Sequence, residues 1–207
     1  MKVIQKGLVE YLPTFEAMKA FNAARTAETE DELWVVEHPP VFTQGLAGKP
    51  EHLLFSGSIP VVQIDRGGQI TYHGPGQLVV YPIVRTPEGS DVVAFVRALE
   101  GAVIAALAAF SIRGERVGGR SGVWCGGNKI CAIGVKFSRN TTLHGLALNV
   151  ATDLEKFTRI VPCGISDAGV ASMESLGRAA TLDEAAEALL PELSSALGAF
   201  QLRTEGR

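Results

Sequence analysis

Apolar residues recur at intervals of three and four along residues 92–110, a spacing that predicts a helix with one core-facing stripe. Ser90 or Asp91 can cap the first turn of this helix. A weaker pattern of the same kind predicts an earlier helix over residues 14–29. The positions on the stronger stripe are Val92, Val96, Leu99, Val103, Leu107 and Phe110.

A third helix is predicted near the carboxyl end, where Thr181 and Glu184 form a capping box. Pro191 is expected to kink or split that helix, because proline removes a backbone donor. Short apolar runs predict strands over residues 33–37, 60–65, 78–81, 122–125, 129–137 and 141–150, and residues 43–58 are predicted as a loop. The helices and strands do not alternate regularly, so we expect an α/β (α+β) fold with a mixed or antiparallel sheet flanked by helices.

The chain has 207 residues, of which 46% are apolar and 20% charged, and this composition predicts one globular domain over residues 1–207. A net charge of −3 gives no general attraction to nucleic acid or to a membrane. The amino terminus lacks a long apolar segment, and we expect no apolar run long enough to span a membrane. We therefore expect a cytoplasmic protein with reduced thiols.

Residues 66–82, RGGQITYHGPGQLVVYP, combine four glycines with an arginine, a histidine and several other polar groups. Glycine permits close approach of the backbone to a ligand, so one interpretation is a binding site. The other interpretation is a pair of hairpin turns in which glycine serves only the turn geometry. Composition alone does not decide between the two.

Cofactor chemistry has no support in the sequence. The glycine-rich segment at residues 118–129 lacks the spacing of a phosphate-binding loop, and residues 66–82 contain no GxGxxG. Three cysteines without CxxC spacing argue against both a disulfide framework and a zinc site. We expect no cofactor and no metal.

Cys163 is the best candidate nucleophile among the three cysteines, because Pro162 and Gly164 place it in a turn. A turn can expose sulfur and present backbone N–H groups to an oxyanion. The alternative is a turn cysteine packed against the sheet. Cys131 lies within a predicted strand, where a thiol behaves as a small inert apolar group.

Lys129 is a candidate activator for such a thiol. In a regular strand it would share one face with Cys131, Ile133 and Val135, and a partly desolvated lysine there could exchange a proton with a thiol or stabilise a thiolate. A strand-end lysine that extends to water is the commoner outcome. His73 and His144 are further candidates, although a lone histidine is often structural.

Small residues occupy the same face of two neighbouring predicted strands. Ala132 and Gly134 alternate on the first strand, and Gly145 and Ala147 alternate on the second. The space above them could accept a thin apolar ligand such as an acyl chain. A closely packed helix would fit the same pattern.

Taken together, four segments of the sequence resemble the lipoyl(octanoyl) transferases. They are EHPPVFTQG, RGGQITYHGPGQLVVYPI, KICAIGVKFSRNTTLHGLALNV and IVPCGI. The resemblance covers roughly residues 30–177, with the segments in the order and spacing of that family. It implies the fold of the biotin and lipoate protein ligases and transferases, a single domain with a mixed sheet.

The resemblance also implies an activity and its partners. An octanoyl group would pass from octanoyl-acyl carrier protein to a specific lysine of apo lipoyl domains, in 2-oxoacid dehydrogenase complexes and in glycine cleavage H protein. Cys163 would carry the acyl group as a thioester, and Lys129 would lower the pKa of its thiol. The implied acyl site comprises Arg66, Gly67, Gly68, Gln69, Ile70, Thr71, Tyr72, His73, Ala132, Ile133, Gly134, Gly145, Leu146 and Ala147.

Three other functions fit parts of the pattern. An ATP-dependent lipoate or biotin ligase shares the arginine-glycine-glycine segment but needs no cysteine, and a hydrolase would use water in place of the acceptor amine. A non-catalytic binding protein would have no use for Lys129 and Cys163. Arg66, Arg139 and the arginines of residues 113–120 are unranked candidates for the surface that meets an acidic carrier.

Overall fold

Ten strands and three α-helices form the described part of the chain, which is residues 1–164 and 167–201 of a computed structural model, the side chain of Cys163 excepted. The helices are α1 (Tyr11–Ala24), α2 (Val92–Ala109) and α3 (Leu182–Leu197). The strands are β1 (Lys2–Leu8), β2 (Glu32–Glu37), β3 (Val41–Gln44), β4 (Val61–Gln63), β5 (Ile70–His73), β6 (Gln77–Ile83), β7 (Glu115–Val117), β8 (Arg120–Cys125), β9 (Asn128–Ser138) and β10 (Thr141–Asn149).

Seven of the strands form one mixed sheet in the order β1-β2-β6-β10-β9-β8-β7. β1 pairs parallel to β2, and the other neighbours in this sheet are antiparallel. A second sheet has the order β4-β3-β5, with β3 parallel to β4 and antiparallel to β5. The expectation of a mixed sheet flanked by helices is confirmed.

Helices α2 and α3 cover one face of the large sheet. The Asp91 carboxylate caps α2 by accepting hydrogen bonds from the N–H groups of Val93 and Ala94, and Thr181 and Glu184 form the predicted capping box of α3. α3 continues through Pro191 over Leu182–Leu197, so of the expected kink or split the split does not occur. Side chains in this core include Leu33, Val35, Leu78, Val80, Phe95, Leu99, Val103, Leu107, Leu189 and Leu193.

The expectation that no apolar run reaches membrane-spanning length is wrong for α2. With 18 residues it is long and apolar enough, by length and composition alone, to cross a membrane. Phe95, Leu99 and Val103 on its stripe are fully buried against the sheet and α3. Part of the apolar character of α2 is therefore explained by its position between the large sheet and α3.

The opposite face of the large sheet is covered by α1 and the small sheet. Tyr11, Phe15 and Met18 of α1 pack with Trp34 and Val41 in one buried cluster. α1 begins three residues earlier and ends five residues earlier than the predicted helix over residues 14–29. β3 lies partly in residues 43–58, which were predicted as loop, and its four residues are too few to show a clear period.

A β-bulge interrupts the pairing of β8 with β9 at Ile130. Val123 pairs with Cys131 and Trp124 pairs with Lys129, so Ile130 is the extra residue. Ile130 and Cys131 both belong to the core under α2 and α3, whereas Lys129 lines a cavity on the opposite face. The prediction that Lys129 shares a face with Cys131, Ile133 and Val135 is therefore wrong, because the bulge reverses the alternation.

Candidate active site

A cavity of about 250 Å³ lies between the large sheet and the small sheet. β9, β10 and β6 contribute its floor, and residues 66–69 with β5 contribute the opposite wall. Tyr11 of α1 and the turn at Gly119 also line it. The cavity thus runs across three neighbouring strands of the large sheet.

The loop at residues 66–69 is fixed to both sheets. Arg66 is buried, and its guanidinium donates to the carbonyl oxygens of Gly67 (2.9 Å) and Thr43 (2.8 Å) and to the Thr43 hydroxyl (2.9 Å). The Gly67 N–H donates to the carbonyl oxygen of Val135 at 3.1 Å. A Cβ on Gly134 would lie 3.0 Å from Arg66 Cδ and from the Gly67 oxygen, so this glycine makes room for the loop.

His73 lies within a buried chain of hydrogen bonds that begins at Arg66. Its Nδ1 is 2.7 Å from Gln77 Oε1, and because a carbonyl oxygen only accepts, Nδ1 carries the proton. Nε2 then accepts from the Thr43 hydroxyl at 3.2 Å. The Gln77 amide donates to Asn149 Oδ1 at 2.9 Å. His73 is therefore a neutral part of the cavity wall with both ring nitrogens occupied.

The same chain of hydrogen bonds reaches the backbone of Lys129. Asn149 Nδ2 donates to the carbonyl oxygen of Ala171 at 3.0 Å, and the Ala171 N–H donates to the carbonyl oxygen of Lys129 at 2.9 Å. The Lys129 N–H donates to Gly169 at 3.0 Å. The HGPGQ segment thus helps to fix the position of Lys129.

Lys129 is 7% exposed and extends into the cavity. Its Nζ lies 4.9 Å from the centroid of the Trp124 ring, a favourable cation–π distance. No carboxylate among residues 1–164 and 167–201 forms an ion pair with it. Gly122 lies on β8 beside the bulge, with φ +107°. A Cβ at this position would collide with the carbonyl oxygen of Cys131, so glycine allows β8 to approach β9 closely near Lys129. The side-chain nitrogen of Lys129 is therefore buried, faces the cavity and is within reach of a ligand there.

Cys163 lies in the short 3₁₀ turn Pro162–Gly164, and its side chain is outside the described residues. The turn is closed by a 3.0 Å hydrogen bond from the Gly164 N–H to Val161. Gly164 has φ +69°, and a Cβ there would collide with the side-chain amide of Gln69. Gln69 lines the same cavity as Lys129. The backbone of this turn at Gly164 therefore lies against the side chain of Gln69.

The other two thiols are poor nucleophiles. Burial raises the pKa of the Cys131 thiol to about 12, and burial together with the charge of Glu115 raises that of Cys125 to about 11. Both groups are therefore protonated near neutral pH, and the thiol form does not attack. Both side chains belong to the core under α2 and α3.

Two sets of hydrogen-bonded polar side chains lie at the cavity beside α1 and β6. Tyr11 and Tyr81 are hydrogen bonded to each other, and the Tyr81 hydroxyl lies 2.8 Å from His38 Nε2. His144, at φ +60°, is held by a 2.8 Å hydrogen bond from Nε2 to Asp65. Tyr11, Tyr81 and His144 line the cavity, so these hydrogen bonds fix the positions of three rings in its wall.

The sequence matches the family described as the lipoyl protein ligase A/B catalytic domain over residues 10–194. An octanoyltransferase from Neisseria meningitidis is 62% identical over 165 residues, which is 79% of this chain and 80% of that protein. The chain belongs to this family. It is an acyltransferase.

Solved structures of the family's fold agree with this assignment. A bi-partite lipoate protein ligase from Thermoplasma acidophilum has a TM-score of 0.76 at 20% identity, covering 96% of this chain and 84% of that chain. Biotin protein ligase from Aquifex aeolicus has a TM-score of 0.57 at 15% identity, covering 96% and 69%. The predicted fold of the biotin and lipoate protein ligases is confirmed.

Within this acyltransferase, twelve of the fourteen residues predicted to bind substrate line the cavity. Ile70 and Tyr72 do not, because side chains alternate along β5 and these two face a separate buried cluster with Phe42 and Phe157. The side chains of Ile70 and Tyr72 therefore do not face the cavity, and substrate binding by the other twelve stays a prediction. Those that line the cavity are Arg66, Gly67, Gly68, Gln69, Thr71, His73, Ala132, Ile133, Gly134, Gly145, Leu146 and Ala147.

Sequence reasoning did not identify several residues of the cavity wall. Val79 and Tyr81 share a face of β6, and the alternation of that strand is a signal that could have identified them. Tyr11 and Ala47 come from distant elements that carry no local signal. Gly119 and Ser121 are the others, whereas Arg120 and His144 line the cavity but are predicted from the sequence for other roles.

Three buried histidines should make the folded state sensitive to acid. Burial lowers the pKa of His38 to about 4, of His73 to about 3 and of His144 to about 4, from an ordinary value of 6.5. Between pH 6.5 and 4 the unfolded chain therefore binds more protons than the folded chain. The free energy of unfolding should fall as the pH decreases through this window, by up to about 1.4 kcal/mol per pH unit for each histidine.

Urea unfolding at several pH values measures the slope of the free energy of unfolding against pH. His38→Gln keeps hydrogen-bonding groups near Val9 and Tyr81 but cannot take up a proton, so its slope between pH 6.5 and 4 should be shallower than that of the wild type. An unchanged slope would show that His38 makes no contribution to the acid sensitivity.

Proposed function

We propose that this acyltransferase moves an octanoyl group from octanoyl-acyl carrier protein to a specific lysine of apo lipoyl domains, through a thioester on Cys163. The observation that most directly supports this proposal is that the turn containing Cys163 lies against Gln69, while Gln69 and Lys129 line one cavity. The octanoyltransferases among its relatives support the choice of acyl group. The lipoyl domains are those of 2-oxoacid dehydrogenase complexes and of glycine cleavage H protein.

The dimensions of the cavity fit a medium-length chain. It extends across β9, β10 and β6, and two strand spacings amount to about 10 Å. With C–C bonds of about 1.5 Å, the extended carbon chain of an octanoyl group spans about 9 Å. Ala132 and Ala147 keep the floor low enough for a thin chain.

In the first half-reaction, the Lys129 amine takes the proton of the Cys163 thiol, and the thiolate attacks the carbonyl carbon of the donor thioester. A C–S bond forms to Cys163, and a tetrahedral oxyanion develops beside the turn. The bond to the carrier's sulfur then breaks, and the Lys129 ammonium returns a proton to the leaving thiolate. One thioester replaces another, so this step needs no ATP.

In the second half-reaction, the neutral amine of the acceptor lysine attacks the enzyme thioester. A C–N bond forms, Lys129 accepts a proton from the nitrogen, and the C–S bond to Cys163 breaks. The Lys129 ammonium then returns this proton to the Cys163 thiolate, so the products are an amide and a free thiol, with no change in oxidation state. Since an amide is more stable than a thioester, this half is favourable.

The test is transfer in the absence of ATP. Wild-type protein incubated with octanoyl-acyl carrier protein should gain one octanoyl group in intact-mass measurements, and adding an apo lipoyl domain should move that mass to the domain. A ligase would acylate the domain only from free octanoate and ATP. A hydrolase would release octanoate without acylating the domain. Either of these outcomes contradicts the proposal.

A further inference from the structure

A groove of about 300 Å³ opens beside the acyl cavity, between the first turns of α2 and the turn that joins β7 to β8. Gly119, Arg120 and Ser121 line both spaces, so the groove adjoins the cavity at these residues. Its other walls are Val92, Val93, Val96, Arg97 and Glu100.

The apolar part of the groove is exposed. Val92 is 44% exposed and Val93 is 65% exposed, although both lie in the first turn of the most apolar helix. The Asp91 carboxylate already accepts hydrogen bonds from the N–H groups of Val93 and Ala94 in this turn. The end of the helix is therefore not proposed as a binding site in its own right. What the groove presents is aliphatic surface with a serine hydroxyl and two guanidinium groups near it.

The charged side chains of the groove have a positive excess. Arg97 and Arg120 face it with one carboxylate, Glu100, which is buried. Glu100 accepts hydrogen bonds from Arg97 (2.8 Å), Arg116 (3.2 Å) and the Gly122 N–H (3.0 Å). Arg120 in turn pairs with Asp167 at 2.7 Å, so Glu100 and Asp167 offset two of the three guanidinium charges of Arg97, Arg116 and Arg120. A ligand in the groove therefore meets an excess of one positive charge.

We infer that this groove holds the linear thiol arm of the acyl donor while the acyl chain occupies the cavity. The inference rests on the proposed function. A thioester whose acyl chain fills the cavity must leave its thiol-side arm outside the cavity, and the groove adjoins the cavity at Gly119, Arg120 and Ser121.

Chemistry favours the donor arm over the side chain of the acceptor lysine. A pantetheine arm combines aliphatic segments with amides and ends in a phosphate, which suits the valines, the Ser121 hydroxyl and the guanidinium groups. The ammonium of an approaching lysine would be repelled by Arg97 and Arg120. The acceptor therefore approaches the thioester from another direction.

The test compares octanoyl donors of increasing length: octanoyl-N-acetylcysteamine, octanoyl-pantetheine and octanoyl-phosphopantetheine. The rate of acyl-enzyme formation is measured for each by intact mass after rapid quenching. For the wild type, kcat/KM should rise along this series as more of the arm enters the groove. Equal values for the three donors would overturn the inference.

Val93→Asp places a carboxylate in the groove at a helix position where an acidic residue is well tolerated. It should lower kcat/KM for octanoyl-phosphopantetheine about tenfold and leave octanoyl-N-acetylcysteamine within about twofold. Leu12→Asp is the matched control, because Leu12 is the second residue of α1, is 52% exposed and lines neither space. It should leave all three donors unaffected.

The possible failures are distinct. If Val93→Asp slows every donor equally, or changes only the KM for the lipoyl domain, the groove does not hold the donor arm. If the wild type forms no acyl-enzyme from any donor, including the carrier-bound one, the proposed function itself fails.

Discussion

Cys163→Ala should abolish the octanoyl adduct and lower transfer by at least about 10³-fold, because the proposed reaction has no second nucleophile of comparable reactivity. Cys163→Ser should behave in nearly the same way, since a hydroxyl has far less tendency to ionise than a thiol. The measurement is intact mass after incubation with octanoyl-acyl carrier protein, followed by transfer to an apo lipoyl domain.

Cys131→Ala and Cys125→Ala are the matched controls for this experiment. Burial raises the pKa of both thiols to about 12 and about 11, respectively, and both lie in the core under α2 and α3. Each variant should still gain one octanoyl group and transfer it. An adduct that persists in Cys163→Ala and disappears in Cys131→Ala would assign the chemistry to the wrong face of the sheet and contradict the proposal.

The parts of the fold that sequence predicted well are those with a long, regular pattern. α2, β9 and β10 each extend over at least nine residues, and their predicted bounds differ from the observed ones by one residue at most. The elements that were missed have weak patterns. β1 is an edge strand with mostly exposed side chains, and β3 has only four residues.

The candidate site shows a different limit. Side-chain alternation correctly separates the small residues of β9 and β10 from the core, but it assigns Lys129 to the wrong face. One extra residue, Ile130, reverses the alternation, and whether a strand contains a bulge depends on its partner strand. Gly122, whose φ of +107° is available mainly to glycine, was the local sign of that irregularity.

Glycine at the site also serves purposes that composition does not distinguish. A Cβ on Gly145 would collide with the backbone oxygen of Val80 on the neighbouring strand, so this glycine is required by strand pairing. Gly134 makes room for the loop that carries Arg66. The small-residue pattern therefore reflects close packing of backbone as well as space for a ligand, and both interpretations of the sequence were partly right.

Replacement of Lys129 separates its two proposed roles, stabilisation of the thiolate by charge and transfer of a proton. Lys129→Met retains the length of the buried side chain but has neither property. It should lower octanoyl transfer by about 10²–10⁴-fold and move the alkylation of Cys163 to higher pH, because a nearby positive charge favours the thiolate. Iodoacetamide alkylation followed as a function of pH, with Cys163→Ala to identify the site, measures the second effect.

Lys129→Arg restores the charge but cannot release a proton near neutral pH, because a guanidinium stays protonated. We expect its alkylation profile to return toward that of the wild type while transfer stays slow. Lys136→Met is the matched control, since Lys136 lies on the same strand and pairs with Asp65 at 2.6 Å on the surface side of His144. It should leave the alkylation profile unchanged. Two results would contradict the assigned roles: an unchanged pH profile of Cys163 alkylation in Lys129→Met, or octanoyl transfer at the wild-type rate by Lys129→Arg. In either case Lys129, between the bulge and the cavity, would serve substrate binding alone.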